Sequence, residues 1–443
     1  MGKTRRSMSA DTAEATVESL NHDARGVARV AGKVTFIDGA LPGETVRFRY
    51  VNKHDRFDSG IVTEIVQPSM ERVEPRCPHF GICGGCALQH LDPGAQLAAK
   101  QQVLADSLTH IGKLQPAGWL PPLIGPVWGY RRRARVGARM VPKKGGLLLG
   151  FRERRRSFIT PLHTCPVLPP TISALLPALR DCLERLSHPD RVPQIELAAG
   201  DNATALVIRH LVSLTAEDKA RLAEFGVRHD LQIWLQPGAP NTASPLTPSE
   251  PQPLYYRLPE FDVVIQFAPT EFVQVNHEVN RVMVSQALAL LDPQPHETVL
   301  DLFCGLGNFS LPLARRAARV LGLEVDAQAA ARARDNAEHN AIFNAEFRVA
   351  NLYDEASAVA PWAEFRCDKL LLDPPRTGAL EAIKRLTTPL PGRIVYVSCN
   401  PATLARDAAY LVHVLGYRLA SAGVLDMFPH TSHVESMALF VQS

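Results

Sequence analysis

TVLDLFCGLGNFSLPLA, residues 298–314, is the stretch on which the fold turns. An apolar strand carries Asp301 and Phe303 at its end, a turn follows with Gly305, Gly307 and Asn308, and a helical pattern resumes in NFSLPLARRA. Glycines at a strand-to-helix turn let the backbone approach a ligand closely. The dinucleotide fingerprint needs a third glycine, and Ser310 stands in its place, which argues against NAD.

Outward from this turn the same alternation repeats. RVLGLEV (319–325) reads as a strand and AQAAARARDNAEHN (327–340) as a helix; EFRVAN (346–351), DKLLLDPP (368–375) and RIVYVSC (393–399) are further strands. Strands alternating with helices predict an α/β domain, doubly wound and Rossmann-like, with a mostly parallel sheet over residues 269–443. YRLASAGVLDMF and HVESMALFVQ have no helix between them and predict an antiparallel hairpin at the sheet edge.

Ligands of such sheets bind outside the carboxyl ends of the strands. Glu324 ends the second strand, nineteen residues after Gly305, where a carboxylate can hold both hydroxyls of a ribose. Asn351 ends the third strand and Asp373 the fourth. A cleft of Asp, Glu, Asn and backbone suits a cationic nucleoside without phosphates, which points to S-adenosylmethionine.

The first half reads differently. Residues 1–11 read as a polar start expected to be disordered. Short β-runs broken by Gly, Asn and Asp predict a small OB-like β-barrel over 12–70. Within it LPGETVRFR places arginines on a strand suited to an RNA-binding face. Residues 71–268 form a central β-rich region with an amphipathic helix at about 93–120 and a Pro/Ser-rich loop at 237–253. From Tyr130 to Phe158 there are eleven Lys or Arg and one acidic residue, Glu153, with Tyr130, Phe151 and Phe158 interleaved. Arginine forks match phosphates and aromatic rings offer stacking surfaces, so this stripe predicts nucleic-acid contact. A net charge of +3 is too small to name a partner without that clustering.

No run of about 18 apolar residues exists, so no membrane span is predicted. No apolar segment follows the basic N-terminus, which argues against a secretory leader. The eight cysteines are therefore expected in a reducing cytoplasm, where metal binding or catalysis outranks disulfides. Cys77, Cys83 and Cys86 stand at C-x5-C-x2-C, and Cys165 follows far downstream. Four thiolates suit tetrahedral zinc or a [4Fe–4S] cluster, and the single remote fourth ligand favours the cluster. His79, His90 and His163 are nearby alternatives.

RIVYVSCNPATLARD (393–407) ends a strand in Cys399, where Asn400-Pro401 turns the chain into a helix. FVQVN (272–276), DLFCGLGNFS, LLLDPPRTG, VYVSCNPATLARD and HVES together resemble the RNA uracil-C5 methyltransferases. The resemblance covers nearly the whole chain, with the start similar to a TRAM domain and the four cysteines to the family's [4Fe–4S] ligands. It implies that Gln274, Phe303, Asn308, Glu324, Asn351 and Asp373 line the cofactor and substrate cleft. Cys399 would be the nucleophile, Glu435 the general base, and Cys77, Cys83, Cys86 and Cys165 the cluster ligands. The helical stretch after the first three cysteines would pack on the catalytic core. A TRAM domain together with the cysteines implies 23S ribosomal RNA as substrate; the related tRNA enzyme is expected to lack both features. The chain would act as a monomer.

C5 of uracil is too poor a nucleophile to take a methyl group directly. The chemistry needs a thiolate at C6 and a base for the C5 proton. A free thiol has a pKa near 8.5, so the helix beginning at Pro401 is expected to help ionise Cys399. Cys304 and Cys367 are expected to be core residues. A cytosine-C5 enzyme would carry a second cysteine where Asp373-Pro374-Pro375 stands, and an amino-group methyltransferase an N-P-P-aromatic motif. An iron–sulfur RNA-binding protein without methyl transfer is the alternative of a different class.

Overall fold

The computed structural model describes residues 11–353 and 362–442, so the polar start lies, except for Asp11, outside the described residues. Contacts divide the chain into two units. One holds the described residues up to Val103 together with Phe428–His433; the other holds Leu104–Met427 and Val434–Gln442.

The first unit opens with strands β1 (Thr12–Leu20), β2 (Gly26–Val30), β3 (Lys33–Asp38), β4 (Thr45–Lys53) and β5 (Phe57–Gln67). They close into a barrel in the order β1-β2-β3-β5-β4. Alternation decides what points inward: Val46, Phe48 and Tyr50 of β4 are buried with Val17, Ala28 and Ile37, while Arg47 between them is exposed. Burying Phe48 contributes roughly 2–3 kcal/mol. Below the barrel, fully buried Glu44 accepts the Leu41 N–H and the Arg72 guanidinium. Burial alone would raise that carboxyl; Arg72 and the backbone donors outweigh it and hold it below its ordinary value.

The cysteine loop follows, without regular strand or helix from 73 to 91. Turns order it: Phe80 N–H donates to the Cys77 carbonyl and Cys83 N–H to that of His79. Its far end is joined to Phe428–His433. The Ala87 and Leu88 N–H groups donate to the His430 carbonyl at 2.7 and 2.9 Å, and the His430 N–H to Gln96 Oε1.

Helix α1 (Pro93–Ser107) runs into a π-helical turn, Leu108–Gly112. That turn lies against the catalytic region: a Cβ on Gly112 would sit 2.8 Å from the Ala405 carbonyl, so only glycine fits. Strand β6 (Gly118–Trp119) then pairs parallel to Ser421 and Ala422 near the end of the chain. Residues 108–119 thus belong to the same unit as the C-terminal sheet and pack on it.

The central sheet is built from β7 (Arg133–Val141), β8 (Gly146–Gly150), β9 (Gln194–Ala199), β10 (Thr204–Arg209), β11 (Leu231–Gln236) and β12 (Ser244–Thr247), in the order β12-β11-β10-β9-β7-β8. Two helices cover it in a region read as β-rich: α2 (Pro170–Glu184) between β8 and β9, and α3 (Ala216–Arg228) crossing between parallel β10 and β11. The signal was present, since Ile172, Leu176, Leu179 and Leu183 recur at helical spacing and are buried. The segment read as a loop at 237–253 contains β12, an edge strand, the position in a sheet where Pro245 is tolerated. β13 (Leu254–Leu258) and β14 (Val263–Phe267) form a separate hairpin.

The C-terminal region comprises α4 (His277–Leu291), β15 (Thr298–Leu302), α5 (Ser310–Ala314), β16 (Arg319–Glu324), α6 (Ala327–His339), β17 (Ala345–Val349), β18 (Lys369–Leu372), α7 (Leu380–Lys384), β19 (Arg393–Ser398), α8 (Pro401–His413), β20 (Tyr417–Leu425) and β21 (Glu435–Gln442). Its sheet order is β17-β16-β15-β18-β19-β21-β20-β6. Strands β15 to β19 are parallel, and their near-continuous apolar runs follow from burial on both faces. The expected antiparallel hairpin is β20–β21, with β21 against β19 and β6 covering the outer edge.

Candidate active site

Strand order reverses between β15 and β18, and the crevice opens beyond their carboxyl ends. Asp301, fully buried, accepts the Ser310 hydroxyl. Phe303 adopts φ +69°, a left-handed conformation costing a side-chain-bearing residue about 1–2 kcal/mol. It is held there because the Phe303 and Cys304 N–H groups both donate to the Leu323 carbonyl. Gly305 and Gly307 also have positive φ, 54° and 92°. The turn is therefore left-handed where the sequence supplies glycine and strained where it supplies Phe303. The strain lies at the mouth of the cleft.

Glu324 is tied to this turn. Its Oε2 accepts the Gly305 N–H at 3.0 Å and its Oε1 the Val325 and Asp326 N–H groups. The side chain of Asn308 is committed elsewhere: it exchanges two hydrogen bonds with Asn280 and accepts the Tyr256 hydroxyl at 2.9 Å. Asn308 thus fixes the loop from below, and Tyr256 and Asn280 are partners that no motif announced. Asn351 is exposed after β17 and turns the chain by accepting the Tyr353 N–H. The Tyr353 ring lies 5.7 Å from that of Phe303. Half-buried Gln274 sits in the loop before α4, and the basic stripe pins that loop: Arg132 N–H donates to the Val275 carbonyl and Arg133 to that of Thr270.

The carboxylates repel one another. Burial, with Asp373 and Glu324 nearby, pushes the Asp301 carboxyl up to about 8; burial raises Asp373 to about 7. A cleft that resists this much negative charge is complementary to a cationic ligand. The sign for stability follows from linkage. With a folded pKa above the unfolded one, Asp301 costs stability increasingly as pH rises from about 4 towards 8. Asp301→Asn, whose amide oxygen can still accept from Ser310, is expected to raise Tm in the ligand-free protein. The gain should be largest at pH 8 and shrink towards pH 5, as read by thermal denaturation across that range. A gain independent of pH would contradict the assignment.

Cys399 and Glu435 meet across the sheet. Ser398 of β19 pairs with Ser436 of β21, so the next step of the register sets Cys399 opposite Glu435. Both are half-buried. Burial first, then the Glu435 and Asp373 carboxylates, push the Cys399 thiol up to about 11, with Arg376 opposing. The expectation that the helix start would ionise this thiol is therefore corrected for the ligand-free protein. Asn400 caps α8, its Oδ1 accepting the Ala402 N–H, while its Nδ2 donates to the Arg376 carbonyl. Asn400 and Arg376 thereby join the SCNP and DPPR turns, a link legible only once the two loops are side by side. Asp407 secures the same wall by accepting the Ala379 N–H and the Tyr396 hydroxyl. Cys304 is buried, as expected of a core residue, whereas Cys367 is half-buried and lies outside the core; burial pushes both thiols up, that of Cys367 to about 12.

Cys77, Cys83 and Cys86 are partly exposed on their loop in the first unit, and buried Cys165 belongs to the second. Among the described residues no group of three or more His, Cys, Asp or Glu side chains is arranged to hold a metal ion. The basic stripe divides. Arg132 pairs with Asp201, and Arg133 and Arg135 with Glu196, so these three arginines serve the fold. Arg139, Lys143, Lys144, Arg152, Arg155 and Arg156 are exposed on and after the β7–β8 hairpin, with the Lys144 ammonium 5.7 Å from the Phe158 ring. No helix among the described residues is long and apolar enough to cross a membrane.

Sheet order, strained turn and acidic crevice define a methyltransferase that uses S-adenosylmethionine. A thiol and a carboxylate at its rim narrow the class, and comparison with known proteins agrees. Residues 257–443 match the family model described as tRNA (Uracil-5-)-methyltransferase, and residues 6–49 that of the TRAM domain. The chain is 55% identical to a protein of Aromatoleum aromaticum, over 96% of this chain and 99% of that one, and 53% identical to one of Thiobacillus denitrificans, over 95% and 98%. Both are named 23S rRNA (uracil(1939)-C(5))-methyltransferase RlmD. The chain belongs to the RNA uracil-C5 methyltransferase family.

A crystal structure of the Pyrococcus abyssi tRNA (uracil-54, C5)-methyltransferase with S-adenosyl-L-homocysteine superposes with a TM-score of 0.73 at 26% identity, covering 97% of this chain and 100% of that one. At that coverage the match includes the barrel.

Proposed function

We infer that this protein transfers a methyl group from S-adenosylmethionine to C5 of a uridine in 23S ribosomal RNA. The observation that carries the reading is that Cys399, just past the Ser398–Ser436 pair of β19 and β21, lies close enough to Glu435 and Asp373 for both carboxylates to act on its thiol. S-adenosylmethionine supplies, when bound, an electrophilic methyl group on a cationic sulfur. Asp301, Glu324 and Asp373 favour that charge, and Gln274, Phe303 and Asn351 line the cleft, with Asn308 holding the turn.

Cys399 adds to C6 of the uracil and makes C5 nucleophilic. Because the thiol is protonated at neutral pH in the free protein, it gives its proton to solvent as the substrate enters, which leaves Glu435 unprotonated for the later step. Arg376 favours the thiolate, and cationic charge in the crevice offsets the Asp373 carboxylate. Once C5 carries the methyl group, Glu435 takes the C5 proton and the C6–sulfur bond breaks. The base must leave its stack to reach a half-buried thiol, at a cost of a few kcal/mol. The barrel (12–70) and the exposed cations of the β7–β8 hairpin offset that cost by holding RNA, while residues 269–443 perform the chemistry. The chain acts in the cytoplasm as a monomer.

Transfer RNA is the second reading, favoured by the Pyrococcus likeness. Mapping 5-methyluridine in ribosomal and transfer RNA from cells with and without the gene decides between them. Loss from 23S RNA supports the first reading, loss from tRNA the second, and loss from neither overturns both.

Cys77, Cys83, Cys86 and Cys165 are assigned to a [4Fe–4S] cluster in the central region, 71–268. The support is donor chemistry: three thiols on one turn-rich loop, with the Gly85 N–H 3.4 Å from Cys83 Sγ, a donor that suits a ligating thiolate. Methyl transfer requires no electron, so the role is structural. The loop leads at once into Ala87 and Leu88, which hold His430, five residues before Glu435. Anaerobically purified protein should contain about four iron and four sulfide per chain. Stoichiometric zinc without sulfide would replace the cluster with a zinc site.

A further inference from the structure

The strand expected to face RNA is poorly equipped for it, because Arg47 of β4 is locked between Glu14 and Glu64. A different face is better suited. The order β1-β2-β3-β5-β4 is that of oligonucleotide-binding barrels, whose β2–β3 face and β1–β2 and β4–β5 connections take the ligand. Here those places carry a row of rings. Phe36 points outward from β3 between Thr35 and Ile37, both fully buried. Phe57 opens β5 and is 39% exposed; His54 lies in the β4–β5 connection. The Phe36 and Phe57 rings meet edge-on at 5.6 Å, and His54 lies 4.7 Å from Phe57. At the end of the β1–β2 connection the Arg25 guanidinium covers Phe36 at 5.4 Å.

Charge completes the surface. Arg25 and Lys33 are paired with Asp23 and Asp58. Exposed Arg29 on β2 and Arg56 beside Phe57 make no ion pair among the described residues. Two available arginines are few for the backbone of a duplex, which also hides the faces of its bases. Rings flanked by a little positive charge suit single strands, whose bases each offer a π-face.

We propose that Phe36, Phe57 and His54 form a stacking platform for unpaired bases of the substrate RNA, with Arg29 and Arg56 holding the adjoining phosphates. The proposal rests on RNA being the substrate. It makes the barrel a reader of single-stranded segments flanking the target, and it assigns that role to the β2–β3–β5 face.

The test uses the full chain. Phe57→Leu keeps apolar bulk without a ring, and Phe57→Trp keeps a ring. Binding of a fluorescein-labelled, unstructured 12-nucleotide RNA is read by anisotropy, and kcat and KM are measured on a 23S RNA transcript. Phe57→Leu is expected to weaken binding and raise KM roughly tenfold with kcat unchanged, and Phe57→Trp to match the parent. Binding and KM for Phe57→Leu within about twofold of the parent overturn the platform. Equal losses in both variants with a lowered Tm make Phe57 a packing residue and also overturn it. If the parent leaves 23S RNA unmethylated while Phe57→Leu still loses the oligonucleotide, the platform stands and the substrate reading falls.

Discussion

Cys399→Ala should abolish 5-methyluridine formation, lowering turnover by at least about 10⁴-fold, while the protein still binds S-adenosylmethionine. The size follows from the substrate. Uracil C5 becomes a nucleophile only when something has added at C6, and the other thiol near this cleft, Cys304, is buried beneath the turn whereas Cys399 is half-buried. Cys304 and Cys367 are held protonated by burial, so Cys304→Ala and Cys367→Ala should cost stability without removing the reaction. Because the Cys399 thiol is pushed up to about 11, its alkylation in the free protein should be slow at pH 7 and accelerate as pH rises towards that value. Site-resolved mass spectrometry is needed, since Cys77, Cys83 and Cys86 are partly exposed. Methylation by Cys399→Ala within tenfold of the parent would refute a covalent route through this residue.

Much of the C-terminal region was legible because buried parallel strands are written as apolar runs with polar residues at their ends. Asp301, Glu324, Asn351 and Asp373 could be placed at one edge of a sheet by counting strands. The direction of the Cys399 shift was not legible. It depends first on burial, then on Glu435, thirty-six residues further on and brought close by β21 inserting beside β19, and on Asp373, which follows β18 on the other side of β19. A helix start is visible in a sequence, whereas the burial and the carboxylates that raise this thiol are not. The basic stripe shows the same limit. Density of arginine was correctly read as unusual, yet Arg132, Arg133 and Arg135 are consumed by Asp201 and Glu196, which lie on the far side of strand pairings that no local pattern announces. Asn308 was placed at the cleft by its motif, but its amide is spent on Asn280 and Tyr256 from another part of the chain.

Glu435→Gln should separate the two halves of the reaction. If Glu435 takes the C5 proton, its loss leaves the methylated base attached through sulfur, and a protein–RNA adduct should survive denaturing electrophoresis. Turnover should fall by about 10²–10⁴-fold, the range of a lost general base. The electrostatics predict that adduct formation does not slow in parallel. The Glu435 carboxylate is the largest charge raising the Cys399 thiol, so its neutralisation lowers that pKa and increases the thiolate fraction at pH 7–8. The variant should therefore alkylate faster at Cys399 than the parent, form the adduct at least as fast, and fail only at release. A merely structural role cannot produce that split, because a displaced β21 would slow both steps and lower Tm. Loss of turnover without accumulated adduct would assign the proton to another base. Asp373 is then the next group to examine, since burial raises its carboxyl to about 7 and it lies close enough to Cys399 to shift the thiol.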